Sequence, residues 1–485
     1  MTTQHQLQHL YWRAGFGPRP ADVAAGLTPR KALRQLFQDS ARFEPLDSAA
    51  MRVTETLALS PSPTPDLTMD PQAIALKSKA MTAEQRKLQN RQIREAFYAM
   101  NSGWLARMAT SPAQLREKMT FFWHGHFACR VRRPDAALQL NNTLRQGALG
   151  KFGDLLLSVS QEPAMLQFLN NQQNRRQHPN ENFAREVMEL FTIGRGQYSE
   201  QDIKEAARAF TGWGYDAAGR FVFRARQHDD GSKTFLGQTG NFGGEDILRI
   251  ILEQPRTAEF LTTKIYRFFV NDTPDPAHIQ PLARAFFQSH YDIGDLLERL
   301  FSAPWFYDAA NVGTRIKSPI ELLTGMRRTL GLELENQQPL IVFQKALGQT
   351  LFQPPNVAGW PGGRSWIDSS SLVLRLQLPQ VLLRNAEFSI ALKEDENDLA
   401  PSVSKAERTF RQGVKARVQL APISQLLAKT APGSQAAQLS TLLLQIPIRP
   451  ENLALIQQQA AAGPADSRLR TMVTSMLSLP EYQLM

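Results

Sequence analysis

The sequence predicts a mainly α-helical protein: one large multi-helix domain with a small β-hairpin insertion and a helical C-terminal extension. Apolar residues recur at i, i+3 and i+4 through most of the chain, the spacing that puts them on one face of a helix. One region, about 215–240, alternates instead and is bounded by turn residues. The composition, 42% hydrophobic and 21% charged over 485 residues, is that of a folded chain able to bury a sizeable core. The large domain is placed at 1–386 and the extension at 387–485, because after about Glu387 the chain turns to Ala, Gln, Leu and Ser. There Pro401, Pro422, Pro432, Pro447 and Pro450 separate short helical patterns.

In chain order, Leu33, Leu36 and Phe37 give an early apolar stripe. Residues 59–72 are so rich in proline that helix is forbidden, which predicts a surface loop. Helical period resumes from Thr82 to Met108, and Ser111-Pro112 starts a helix running through Met119 to about Trp123. Pro179 and Asn180 start another, which Gly194 and Gly196 stop. Between Asp216 and Gly237, Phe221 and Phe223 alternate with turn residues around them, so a hairpin or ribbon is expected. Phe260, Ile265, Phe268 and Phe269, then Leu296, Leu297, Leu300 and Phe301, restore the helical stripe. Gln353 to Gly363 holds too much Pro and Gly for a regular element, and Trp360 and Trp366 predict a loop fixed by packing.

Several function classes lose support. The single Cys129 excludes a disulfide framework and any multi-cysteine metal site, so a metal would have to be held by His, Asp and Glu. The charge of +10 is spread thinly, its clusters (Arg130, Arg132 and Arg133; Arg175 and Arg176) are short, and no nucleic-acid module spacing accompanies them; nucleic acid is not expected as a partner. No run of 18 apolar residues predicts a membrane span. Met1 to Arg19 lacks a signal-peptide core, which predicts a cytoplasmic chain unless a partner carries it to the periplasm or beyond. No phosphate loop, dinucleotide fingerprint, nucleophile elbow or zinc-protease helix is present.

Four segments carry more polar chemistry than folding requires. In Phe122-Trp123-His124-Gly125-His126-Phe127, residues two apart on a helix point to opposite sides, so His124 and His126 share a metal only if Gly125 ends the helix. On the helix after Asn180, Asn182, Glu186 and Glu189 fall at i, i+4 and i+7, placing two carboxylates as helical bundles do around a buried ion. The competing reading is charge pairing, with Arg185 bridging Glu181 and Glu189. His228, Asp229 and Lys233 sit at the hairpin, where a turn could aim them at a cleft or where they could simply make the turn. The fourth is the Asn356 to Trp366 loop, a pocket wall or an inter-helix plug.

These segments resemble a bacterial family known as domain of unknown function 1800. The likeness runs through Arg13-Ala14-Gly15-Phe16-Gly17, Phe122 to Phe127, Pro179 to Thr192, Ala207 to Trp213, His228-Asp229, Lys233 to Gly237, Lys317-Ser318-Pro319-Ile320-Glu321 and Pro354 to Pro361. The resemblance names a family and no reaction. It implies partnership with proteins of the family called domain of unknown function 1501, which look like exported relatives of the sulfatase and alkaline phosphatase superfamily.

Two readings follow. In one, the chain is a metal-dependent, hydrolase-like enzyme: His124, His126, Glu186, Glu189 and His228 hold Zn, Mn or Fe. Glu181 or Asp229 is then the general base, and Arg185 and Lys233 hold an anionic substrate group. In the other, the same residues form a buried hydrogen-bond network, which Asn171, Asn180 and Asn182 suit because amides both donate and accept, in a non-catalytic binding or maturation partner of an exported protein.

Overall fold

In the computed structural model the described residues are 2–47, 82–384, 414–461 and 463–485. The proline-rich stretch 59–72 and the expected boundary near 386 lie outside them. Within them helices dominate, and the three sheets have two strands each.

Helix starts follow local chemistry. Thr82 and Gln85 form a capping box that opens helix Ala83–Thr110, Ser199 and Asp202 do the same for Glu200–Ala209, and Ser318 and Glu321 for Pro319–Leu330, which has Pro319 at its first position. In each, a side chain takes one of the first free helical N–H groups and an acid or amide three residues on returns to the cap. The helix expected to end near Trp123 runs from Gln114 through His126. It sits at the centre of the fold: 12 of its 13 residues are buried, packed against helices Ala83–Thr110, Pro134–Gln146, Pro29–Ser40 and Thr3–Ala14.

So complete a burial leaves charged side chains inside: Arg116 donates to the backbone carbonyls of Ser40 and Arg145, and Glu117 and Lys118 are paired with opposite charges. Glu117 accepts from Trp104 Nε1 at 2.9 Å, Arg107 Nε at 2.8 Å and Arg145 Nε at 3.0 Å. Lys118 Nζ lies 2.5 Å from Glu321 Oε1. Burial opposes ionisation of Glu321, but Lys118 and Arg315 outweigh it and bring its carboxyl down to about 2. Breaking one partner of such a pair strands a buried charge, at about 3–5 kcal/mol.

The single expected hairpin is two in succession. Trp213–Tyr215 pairs antiparallel with Phe221–Phe223, Gly214 opposite Val222, and Lys233–Phe235 pairs with Gln238–Gly240 across Leu236 and Gly237, both at positive φ. Helices of the C-terminal stretch pack into the same core as the rest: Ala465–Leu477 lies on Ser369–Arg384. The last residues run beside 315–317, with Lys317 N to Gln483 O at 2.8 Å and Met485 N to Arg315 O at 2.9 Å. No helix among the described residues is long and apolar enough to cross a membrane.

Candidate functional site

Helix Gln114–His126 continues through Gly125, so its two histidines diverge. His124 Nε2 accepts the Phe352 N–H at 3.1 Å, and its ring meets Trp104, Phe352 and Trp360 at centroid distances of 5.0, 5.3 and 5.4 Å. Burial drives its pKa down to about 3, keeping it a neutral acceptor. The loop around Trp360 is thus fixed by packing, and Gly359 brings it close enough that a Cβ there would stand 2.4 Å from Gly125 O. On the other side, His126 Nε2 lies 3.0 Å from Phe191 O and therefore carries the proton, leaving Nδ1 to accept from Lys264 Nζ at 3.2 Å. Burial, then Lys264, holds the His126 pKa far below its usual value, and burial brings Lys264 to about 8.

The carbonyls serving this dyad lie in the last turn of a helix, where no intrahelical N–H follows to take them. Helix Glu181–Glu186 passes into a π turn, Val187–Thr192, with Ile193 N bonded to Met188 O at 3.0 Å. Phe191 O takes His126, and Leu190 O takes Lys264 at 2.9 Å. The extra residue in the turn breaks the 3.6-residue register on which the carboxylate row was drawn. Arg185 accordingly pairs with Glu181 at 3.1 Å and Glu200 at 2.9 Å, and not with Glu189. Glu189 turns to Arg195 and to Tyr198 at 3.2 Å. Glu186 is partly buried; burial and then the charge of Glu189 push its carboxyl up.

At the hairpins the polar residues hold the turn. Arg208 grips Asp229 with two hydrogen bonds, at 2.7 and 3.1 Å, and Glu205 with a third at 2.8 Å. That fork, ahead of any other influence, holds the Asp229 carboxyl down to about 2. His228 Nδ1 donates to Thr211 O at 2.9 Å. Lys233, 1% exposed, donates to Asp229 O at 2.5 Å and Gly231 O at 2.9 Å, so it points into its own turn and not at a cleft.

The nine nominated side chains therefore divide among separate networks. Among the described residues no three His, Cys, Asp or Glu side chains are grouped to share a cation. What the same segments do build is an open depression of about 640 Å³. Its lining comes from a loop (Gln173, His178, Pro179) and from the cap and start of the next helix (Asn180, Glu181, Asn182, Arg185). A ladder of amides stiffens its floor. Asn171 Nδ2 donates to Phe210 O at 3.3 Å, Asn174 Nδ2 to Asn171 Oδ1 at 3.2 Å and Ala207 O at 2.8 Å, and Asn174 Oδ1 accepts from Asn180 N at 2.9 Å. Asn182 Nδ2 adds Leu169 O at 3.2 Å.

The local spacing does not mark Lys264, Arg208, Glu200 or His178. Lys264 sits on a helix whose signal is its apolar stripe, Arg208 falls within the family likeness of Ala207 to Trp213 without a role of its own, and nothing in the spacing marks these side chains as partners of distant residues.

The family described as protein of unknown function, DUF1800, matches residues 9–484. No curated protein and no solved structure matches the chain.

Proposed function

The chain belongs to the DUF1800 family, and on that premise we propose that it is a non-catalytic binding or maturation partner of another polypeptide. The observation that carries this is the polar depression over the amide ladder. An imidazole, free amide groups and an ion pair on a rigid floor offer donors and acceptors together, which suits a polar segment of a partner chain. The nominated catalytic groups are meanwhile spent on their neighbours: Asp229 on Arg208, Lys233 on backbone carbonyls, Glu181 and Arg185 on each other. The partner proposed is an exported protein of the 1501 kind.

The test is capture of a 1501-type protein by tagged full-length protein, compared with His178→Glu and Gln173→Glu, both exposed in the groove. Capture by the wild type and its loss in the two variants is expected. Equal capture by all three, or none by the wild type, sinks the reading.

A second reading keeps a metal-dependent hydrolase centred on Glu186 and Glu189, favoured by the charge of Glu189, which together with burial pushes the Glu186 carboxyl up. Elemental mass spectrometry of purified protein should then give a stoichiometric Zn, Mn or Fe. Metal-free protein whose Tm ignores added Zn or Mn eliminates it.

A further inference from the structure

Away from the groove, buried positive charge collects where helices Thr3–Ala14, Gln114–His126 and Ser369–Arg384, segment Arg315–Glu321 and the C-terminal turn Pro480–Gln483 meet. Arg13, Lys118, Lys317 and Arg375 are each 0% exposed and Arg315 is 8% exposed, around one buried carboxylate, Glu321. Glu321 is already committed to Lys118 at 2.5 Å and to Ser318 N at 2.8 Å. The half-exposed Asp272 reaches only the edge, 3.7 Å from Arg315 Nε.

The remaining cations are held largely by neutral groups. Lys317 Nζ is 3.7 Å from the ring centroids of both Trp12 and Tyr482 and donates to Tyr482 O at 2.6 Å. Arg375 Nη1 donates to Lys317 O at 2.9 Å and to Gln483 Oε1 at 3.4 Å. Beyond these, Arg375 Nε and Nη2, Arg13 Nε, Trp12 Nε1, Gln483 Nε2 and the Tyr482 hydroxyl are buried and have no protein partner. Every one of these groups can donate, the hydroxyl being able to accept as well, and three of them belong to the guanidinium ions of Arg13 and Arg375.

We propose that this cluster is an internal anion site, taking a small inorganic oxyanion of the phosphate or sulfate class, with Arg375, Gln483, Tyr482 and Trp12 as its donors. Water could accept from the same N–H groups, but it brings no charge to offset five cations against one buried carboxylate. An oxyanion does both, and the free Nε and Nη2 edge of Arg375 is the fork that matches two of its oxygens. The site is separate from the groove, and its fate does not depend on whether the groove binds a partner.

The experiment uses full-length protein purified without phosphate or sulfate. Ion chromatography of the denatured protein is combined with calorimetric melting under added sodium phosphate or sulfate, against sodium gluconate at equal ionic strength. The expected result is about one oxyanion released per chain, or a saturable rise in Tm that gluconate does not reproduce. Arg375→Met should abolish both, and Tyr482→Phe, which removes only the unpartnered hydroxyl, should fold and weaken the midpoint about tenfold. Release of chloride alone overturns the proposal. So does a melting curve blind to phosphate and sulfate in protein that releases neither, or an unchanged midpoint in Tyr482→Phe together with any Arg375→Met protein that folds.

Discussion

Asn174 spends both ends of one amide on three different segments: its nitrogen on Asn171 and Ala207, its oxygen on the N–H of Asn180. Asn174→Asp keeps the size and the acceptor for Asn180 but sets a carboxylate oxygen against Ala207 O and Asn171 Oδ1. Each buried group left unpaired costs about 1–3 kcal/mol, so a loss of about 2–4 kcal/mol in urea denaturation is expected; a loss under about 0.5 kcal/mol would show that the ladder is not what holds the loop. At this scale residue type is legible in the sequence and partner is less so. It pointed to Asn171, Asn180 and Asn182 as network residues, and they are. It put His124 and His126 toward one ion, whereas a continuous helix sends them to Phe352 and Phe191. Arg185 does pair with Glu181, but its second partner, Glu200, belongs to the next helix. Partners that distant leave no trace in local spacing.

Elements were more legible than residues because their signals are local. Capping chemistry and apolar period located the helices, and the alternation around Phe221 located the strands; the second hairpin, three residues per strand, is too short to show a period. The π turn is equally invisible, since the groups that meet its carbonyls, Lys264 and His126, lie far from it in sequence. The contact between Gly125 and Gly359 yields a paired prediction. Gly359 has φ +83° and a Cβ there would meet Gly125 O at 2.4 Å, whereas a Cβ on helical Gly125 would meet nothing within 4 Å. Gly359→Ala should therefore destabilise by about 2 kcal/mol or more, from strain and from displacing the Trp360 loop. Gly125→Ala should stabilise by about 0.5–1 kcal/mol through helix propensity. Denaturant midpoints that move in the same direction for both variants would contradict this packing.

Over the whole molecule, the balance of buried groups sets how stability answers to acid. His9, His124 and His126 are buried at 0, 4 and 6% exposure. Burial, ahead of neighbouring cations, lowers all three pKa values below 6.5. In the unfolded chain they take up protons as pH falls through 6.5, while in the folded chain they do not. The stability they contribute is therefore complete above pH 6.5 and is lost on acidification. Glu162 works the other way. Burial raises its carboxyl to about 7 from 4.5, so between those values the folded state holds the extra proton and gains stability as pH falls. The three imidazoles outweigh the one carboxyl, so the net effect of acidification through pH 6 to 5 is a loss of stability. Asp229 and Glu321, held down by Arg208 and Lys118, add their own loss only below the ordinary carboxylate range. Urea midpoints at pH 7.5 and 5.5 should therefore fall steeply on acidification. His124→Gln, whose amide oxygen can still accept from Phe352 N, should flatten the slope by about 1.4 kcal/mol per pH unit. A midpoint that holds level or rises between those two pH values would mean that the three imidazoles reach water and do not stay neutral in the core.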